Sequence, residues 1–281
     1  MKSKKRIIVP NHTTKIEQVV EKLLKEPIRY EKFLTLLEDA KDTFFDNPEL
    51  EFELLLSNGL PLDFKDDDVY LKTSKTKLED QTFCIVDIET NGGHVKKGYQ
   101  IIELGAVKYK NGQIIDKFES LVYAKEINEY IQEVTNITPS MLADAPTIEP
   151  VLKEFKLFLG DDIFVAHDIK FDYNFISDSF EKYDLGKLQN RKLCTIELAK
   201  RILKLEKYGL RSLKDIFQID VDNHHRAYYD ALATTHVLEK LLEKIDKEKV
   251  KTSEDLIYFS KMAKSLAIKK RKLFKKENDN V

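Results

Sequence analysis

The sequence predicts an α/β fold: a mixed five-stranded sheet flanked by helices, with a helical region before it and a basic helix after it. Two observations lead there. Three apolar runs rich in β-formers, at 83–88, 101–109 and 114–123, follow one another with short gaps, and Asn111-Gly112 between the last two is a hairpin turn signal. Beyond residue 150 brief strands alternate with segments of helical spacing, the pattern of parallel strands covered by helices.

Taken in order, residues 1–80 read as helices ending in a linker. Thr14 and Glu17 have the spacing of a capping box, and Ile16, Val19, Val20, Leu23 and Leu24 share one helical face. Pro27 suits the first turn of a second helix with Tyr30, Phe33, Leu34 and Leu37 as its apolar stripe. Asn47-Pro48 opens a third helix and Asn58-Gly59 closes it. The acidic cluster Asp66, Asp67, Asp68 follows, and the polar stretch 72–80 reads as the linker. Residues 81–245 form the central domain. After the three-strand meander come a helix at 151–159, a strand at 163–166, a helix at 171–183, a last strand at Leu193-Cys194, a helix at 196–205 and a long helix at 227–245. Residues 246–281 read as one helix whose end is strongly basic. Leu256, Phe259, Ala263 and Leu266 share a face, while Lys261, Lys264, Lys269, Lys270, Arg271 and Lys272 gather near its end.

Composition narrows the class. Hydrophobic residues are 42% of the 281, enough for a real core, and the net charge of −2 does not advertise a polyanion binder, although local patches can hide in it. Cys84 and Cys194 stand far apart, with neither a disulfide framework nor zinc-ligand spacing, which fits a reducing cytoplasm. No segment approaches the ~20 apolar residues of a membrane helix. The expectation is a cytoplasmic protein with no membrane partner.

Three clusters carry chemistry. Asp87-Ile88-Glu89 ends an apolar strand, and alternation puts both carboxylates on one face, where they repel unless a cation lies between them. His167-Asp168 with Phe171-Asp172 joins a short strand to a helix. Asp168 there suits a helix N-cap and Asp172 a first-turn acid, so capping and ligand binding are both open. In the third, Asp230 is an acid on an otherwise apolar helix face with Thr234, Val237 and Leu241. Burying such an acid is costly unless it is paired or metal-bound. His225, five residues earlier, can meet Asp230 only from the loop before the helix. A histidine in such a loop changes protonation near neutral pH, whereas His224 reads as a solvent-exposed neighbour.

In this order the clusters resemble the DEDDh, or DnaQ-like, exonucleases of the ribonuclease H-like fold. The matching stretches are Asp87-Ile88-Glu89-Thr90, His167-Asp168 with Phe171-Asp172, and His225-Arg226-Ala227 with Asp230. Between them, Ile101-Ile102-Glu103-Leu104-Gly105-Ala106-Val107 looks like the family's second strand, and Ile137-Thr138-Pro139 with Asp144-Ala145-Pro146 like its connecting segment. The family usually has Asn where Asp168 stands. Its tyrosine variant would need Tyr at the position of Arg226, so the histidine variant is the one matched. The resemblance is nearest to the proofreading subunits and domains of bacterial replicative polymerases.

That resemblance implies two divalent ions, Mg²⁺ or Mn²⁺, held by Asp87, Glu89, Asp172 and Asp230, with His225 as general base. It implies substrate contacts near Thr90, His167 and Asp168, with Tyr99 and Phe171 as aromatic candidates for unstacking a terminal base. The substrate expected is the 3′ end of DNA, single-stranded or frayed, with a polymerase catalytic subunit as partner. RNA as substrate, or an inactive module that only binds, are the alternatives that the same motifs leave standing.

Overall fold

The structure is a computed structural model and describes residues 15–40, 43–221 and 225–262. Thr14, His224, Ala263, Leu266 and the basic stretch from 264 to 276 therefore lie outside the described residues. The described chain divides into two compact units, one of residues 15–54 and 62–72, the other of 55–61 and 73–262.

The first unit is not all helical. It holds α1 (Lys15–Leu23), β1 (Ile28–Arg29), α2 (Tyr30–Glu38), most of α3 (Pro48–Ser57), β2 (Leu62–Lys65) and β3 (Asp68–Leu71). Ile16, Val19, Val20 and Leu23 are buried, as their spacing requires. The acidic cluster turns out to be a hairpin. Lys65 pairs with Asp68, and the loop residues Asp66 and Asp67 have φ of 52° and 65°. Aspartate tolerates that left-handed backbone, and a two-residue loop with both φ positive matches the twist of the strands. β1 adds to the free side of β3, pairing Ile28 with Val69. Pro27 thus precedes a short strand, and the second helix begins at Tyr30.

The second unit carries the five-stranded mixed sheet. It begins with β4 (Phe83–Thr90), β5 (Ile101–Lys110) and β6 (Gln113–Leu121), the expected antiparallel meander. Short helices α4 (Glu129–Thr135) and α5 (Pro139–Leu142) lead to α6 (Ile148–Leu159), β7 (Ile163–Ala166), α7 (Ile169–Lys182) and β8 (Lys192–Cys194). Then come α8 (Thr195–Ile202), α9 (Leu210–Phe217), α10 (Ala227–Leu242) and α11 (Ser253–Lys261). Strand order is β6-β5-β4-β7-β8, with β7 parallel to β4 and β8 parallel to β7.

Because β4 is central, helices cover both of its faces and its apolar run is continuous. Cys84, Val86 and Ile88 enter the core formed with α6 and α7, whereas Phe83 and Ile85 enter the core formed with α8, α10 and α11. The stretch read as a linker is built into this unit instead. Lys77 bridges to Thr252, the Ser253 N–H donates to the Thr76 carbonyl at 3.2 Å, and Ser253 Oγ donates to Gln81 Oε1 at 2.9 Å. Thr73 Oγ1 donates to Glu254 Oε1 at 2.7 Å, and Arg191 grips the same carboxylate at 2.6 and 2.8 Å. Composition alone marks that stretch as polar; its partners lie more than 170 residues away.

Candidate active site

Alternation along β4 decides where the first two acids go. Asp87 and Glu89 continue the row of Phe83 and Ile85, so they lie on the side covered by α10. On β5, Gly105 stands opposite Asp87 and Glu103 opposite Glu89. Gly105 lets α10 come close: a Cβ built there would lie 2.2 Å from the Tyr228 nitrogen and 2.4 Å from the Ala227 carbonyl carbon. The first turn of α10 therefore rests on bare backbone, and Asp230, in that turn, reaches the acids of β4. Ligand atoms of Glu89, His225 and Asp230 all lie within 4.8 Å of one another.

His225 sits in the loop before α10, as the helical geometry demanded. Its φ is 60°, and its backbone N–H donates to Asp230 Oδ2 at 3.1 Å. Asp230 thus fixes the backbone of the loop that carries the histidine.

Asp172 arrives from the other side. β7 pairs with β4 only as far as Val165 opposite Ile85, and the chain then turns through His167 and Asp168 into α7. Asp172 falls in the first turn of α7, 5% exposed. Burial pushes its carboxyl up to about 7, while the N–H groups of Asp172 itself and of Ile88 favour its ionised form. The Ile88 N–H is open to it because β7 has already ended.

Asp168 occupies the N-cap position of α7, but its side chain caps nothing. Its φ of 71° is left-handed. Asn and Asp tolerate that conformation, which accounts physically for either at this turn. His167 Nδ1 is 2.8 Å from Thr195 Oγ1. Burial lowers the imidazole to about 4, against the opposing pull of the Tyr208 backbone. Thr90 Oγ1 donates to the Gly92 carbonyl at 2.8 Å, closing the turn after β4. Tyr99 lies over Gly92 and is 39% exposed; Phe171 is 43% exposed beside Phe175.

The acids strain against one another. Burial and then repulsion from Asp172, Asp230, Glu89 and Glu103 hold Asp87 well above the usual carboxylate range. Burial and the same kind of neighbours push Glu89 to about 8, with Arg226 opposing. Yet Arg226 is already engaged, since its Nε and Nη2 donate to Glu103 Oε1 at 2.9 and 2.7 Å. An all-oxygen carboxylate set short of positive charge fits a hard divalent cation such as Mg²⁺ or Mn²⁺.

Glu103, Gly105 and Arg226 stand inside the matched stretches, but the motifs give them no role at the site. Glu103 is fully buried in the middle of an apolar strand. The argument that singled out Asp230, the cost of an acid on an apolar face, applied to it equally.

A sheet of this order, with acids at the end of its central strand and on two covering helices, defines a nuclease of the ribonuclease H-like class. The chain belongs to the RNase_T family, described as Exonuclease, whose signature matches residues 84–238, and it is DnaQ-like within it. It is 39% identical over 206 residues to a DNA polymerase III PolC-type of Staphylococcus saprophyticus, covering 72% of this chain and 14% of that one. It is 40% identical over 195 residues to the PolC-type polymerase of Staphylococcus aureus, covering 68% and 13%. The chain thus spans about one seventh of the length of the curated relatives it matches. Among solved structures, Exonuclease X in complex with 5′ overhanging duplex DNA aligns with a TM-score of 0.50 at 26% identity, over 63% of this chain and 99% of that one. Apo Exonuclease I shares the fold, with a TM-score of 0.50 at 15% identity over 60% and 43%. No helix among the described residues is long and apolar enough to cross a membrane.

Proposed function

We propose that this chain is a 3′→5′ exonuclease of the DEDDh type that hydrolyses DNA from a single-stranded or frayed 3′ end, in association with a polymerase. One observation carries the reading. Asp87, Glu89, Asp172 and Asp230 converge from β4, α7 and α10 with their charges unbalanced, and His225 stands within 4.8 Å of two of them. Two divalent ions held by those four acids would supply a more acidic attacking water and stabilisation of the leaving 3′ oxygen. His225 takes the proton from the attacking water as general base, and its loop is held for that task by Asp230. Asp168, exposed at the left-handed turn, and Thr90, the last residue of β4, flank the place of the terminal nucleotide. His167, which precedes Asp168 in that turn and is tied to Thr195, is the third residue that contacts the substrate end. Tyr99 and Phe171 offer exposed rings against which an end base can stack. DNA is favoured over RNA because the relatives named above are DNA polymerases and a DNA-bound exonuclease.

The test is digestion of 3′-labelled and 5′-labelled single-stranded DNA and matched RNA with Mg²⁺, Mn²⁺ or chelator, beside Asp87→Ala. The expected result is a metal-dependent ladder shortening from the 3′ end of DNA and absent in the variant. Shortening from the 5′ end, or DNA left undigested with every metal tried, overturns the reading.

A further inference from the structure

The nuclease centre contains a fifth carboxylate that none of the roles above uses. Glu103 stands directly opposite Glu89 across the β4–β5 ladder and is fully buried. It is not left as a free anion. One oxygen accepts both Nε and Nη2 of Arg226, and the other accepts the Ala227 N–H at 3.0 Å. Arg226 is the N-cap residue of α10 and Ala227 its first helical residue. The Arg226 side chain makes no cap hydrogen bond to its own helix. The free N–H groups that open every helix need an acceptor, and an anion there is also favoured by the helix dipole. Glu103 supplies that acceptor from a neighbouring strand.

We propose that Glu103 is a positioning residue of the nuclease centre: by clamping Arg226 and Ala227 it sets where Asp230 and the His225 loop stand against Glu89. The inference rests on the function proposed above. The physical chain is short. Gly105, two residues along the same face of β5, lets the α10 backbone lie against the strand, and Glu103 pins its start. Asp230 follows Ala227 within the first turn of α10, so a shift at Ala227 moves Asp230 with it. His225 immediately precedes the clamped arginine and has a left-handed backbone that needs support from its surroundings. Arg226 also keeps Glu103 from adding an unpaired charge beside Glu89. Displacement of a reacting group by about 1 Å can cost on the order of a hundredfold in rate.

The experiment compares wild type, Glu103→Gln and Glu103→Ala in two assays at a temperature where far-ultraviolet circular dichroism shows all three folded. Steady-state hydrolysis of a labelled DNA oligomer separates kcat from KM, and Mn²⁺ binding is followed by electron paramagnetic resonance. Glu103→Ala is expected to lower kcat about tenfold or more, with KM nearly unchanged and Mn²⁺ bound more weakly. Glu103→Gln, which keeps an acceptor but loses the ion pair, should fall between. A purely structural role would lower the melting temperature and leave kcat and Mn²⁺ affinity of the folded protein alone; both variants within twofold of wild type in both assays overturns the proposal. Should Glu103→Ala not fold, Glu103→Gln decides by the same twofold criterion. A wild type without metal-dependent hydrolysis defeats the exonuclease reading, and Mn²⁺ affinity then tests the clamp by itself.

Discussion

Two buried arginine–glutamate pairs hold this unit together, and they do different work. Arg191 and Glu254 join the strand β8 side of the sheet to α11, with N···O distances of 2.6 and 2.8 Å and side chains 16% and 10% exposed. Arg226 and Glu103 join α10 to β5 at 2.9 and 2.7 Å, with side chains 27% and 1% exposed. The chemistry is nearly the same. What differs is the company. Around Glu254 the further partner is the Thr73 hydroxyl, from a segment strapped over the unit. Around Glu103 the neighbours are Glu89 and Asp87, whose carboxyls are pushed upward by burial and crowding. The first pair is a fastening; the second stands where like charges gather. A buried ion pair says little by itself about stability or function; its surroundings assign the role.

Loss of the fastening has the largest effect. Glu254→Ala leaves Arg191 and Thr73 without their shared acceptor, and loss of one partner of a buried pair costs about 3–5 kcal/mol. Urea unfolding should show a loss near the lower end of that range, because both side chains keep some solvent. The kcat of the folded variant should stay within about twofold of wild type, since no group of the nuclease centre touches Glu254. A large fall in kcat would show that the two pairs are not separate in function.

A pH scan sharpens the contrast. Glu89 and Asp172, raised to about 8 and about 7, keep protons in the folded chain at pH values where the unfolded chain has released them. Unfolding then releases protons, so the contribution of these two acids to stability is greatest below the ordinary carboxylate range and falls as pH rises from about 4 toward 8. The melting temperature of chelator-treated protein should therefore decline across that window. Asp87→Asn, which removes one of the crowded charges, should flatten the decline. Glu254→Ala should shift the whole curve down and keep its slope. Added Mn²⁺ should stabilise more at pH 8 than at pH 5, because protons compete with the metal for the same oxygens. A flat wild-type curve would mean that the acids are not crowded as described.

The smallest effect belongs to the start of α11. Thr252 accepts from the Asp255 N–H at 3.2 Å and Asp255 accepts from the Thr252 N–H at 2.8 Å, a capping box. Thr252→Ala should cost about 1 kcal/mol, seen as a drop of roughly 2–4 °C in melting temperature, with turnover unaffected. An effect as large as that of Glu254→Ala would assign the fastening to the cap and not to the ion pair.

Much of the site was legible because its signals are local. Asp87 and Glu89 share a face by the period of a strand, and Asp230 stands out by the period of a helix. The position of His225 in a loop follows from five residues being the wrong fraction of a helical turn. Other features were not legible. The β1–β3–β2 sheet pairs Ile28 with Val69, and the three aspartates that turn its hairpin look like surface charge when read alone. The strap at 73–81 is polar and low in pattern, and its partners are on α11. Helix α9, only eight residues long, was passed over between two stronger helices.

By itself the sequence determined which residues could do chemistry, the strand and helix each lies on, and the family to which they belong, because alternation, helical spacing and motif order are properties of neighbours along the chain. Tertiary structure decided how the acids meet. The place of Glu103 in the centre depends on β5 lying beside β4 in a register that sets it opposite Glu89, and on a helix more than a hundred residues later resting on Gly105. Register and helix docking are settled by packing the whole core at once, so no local pattern encodes them.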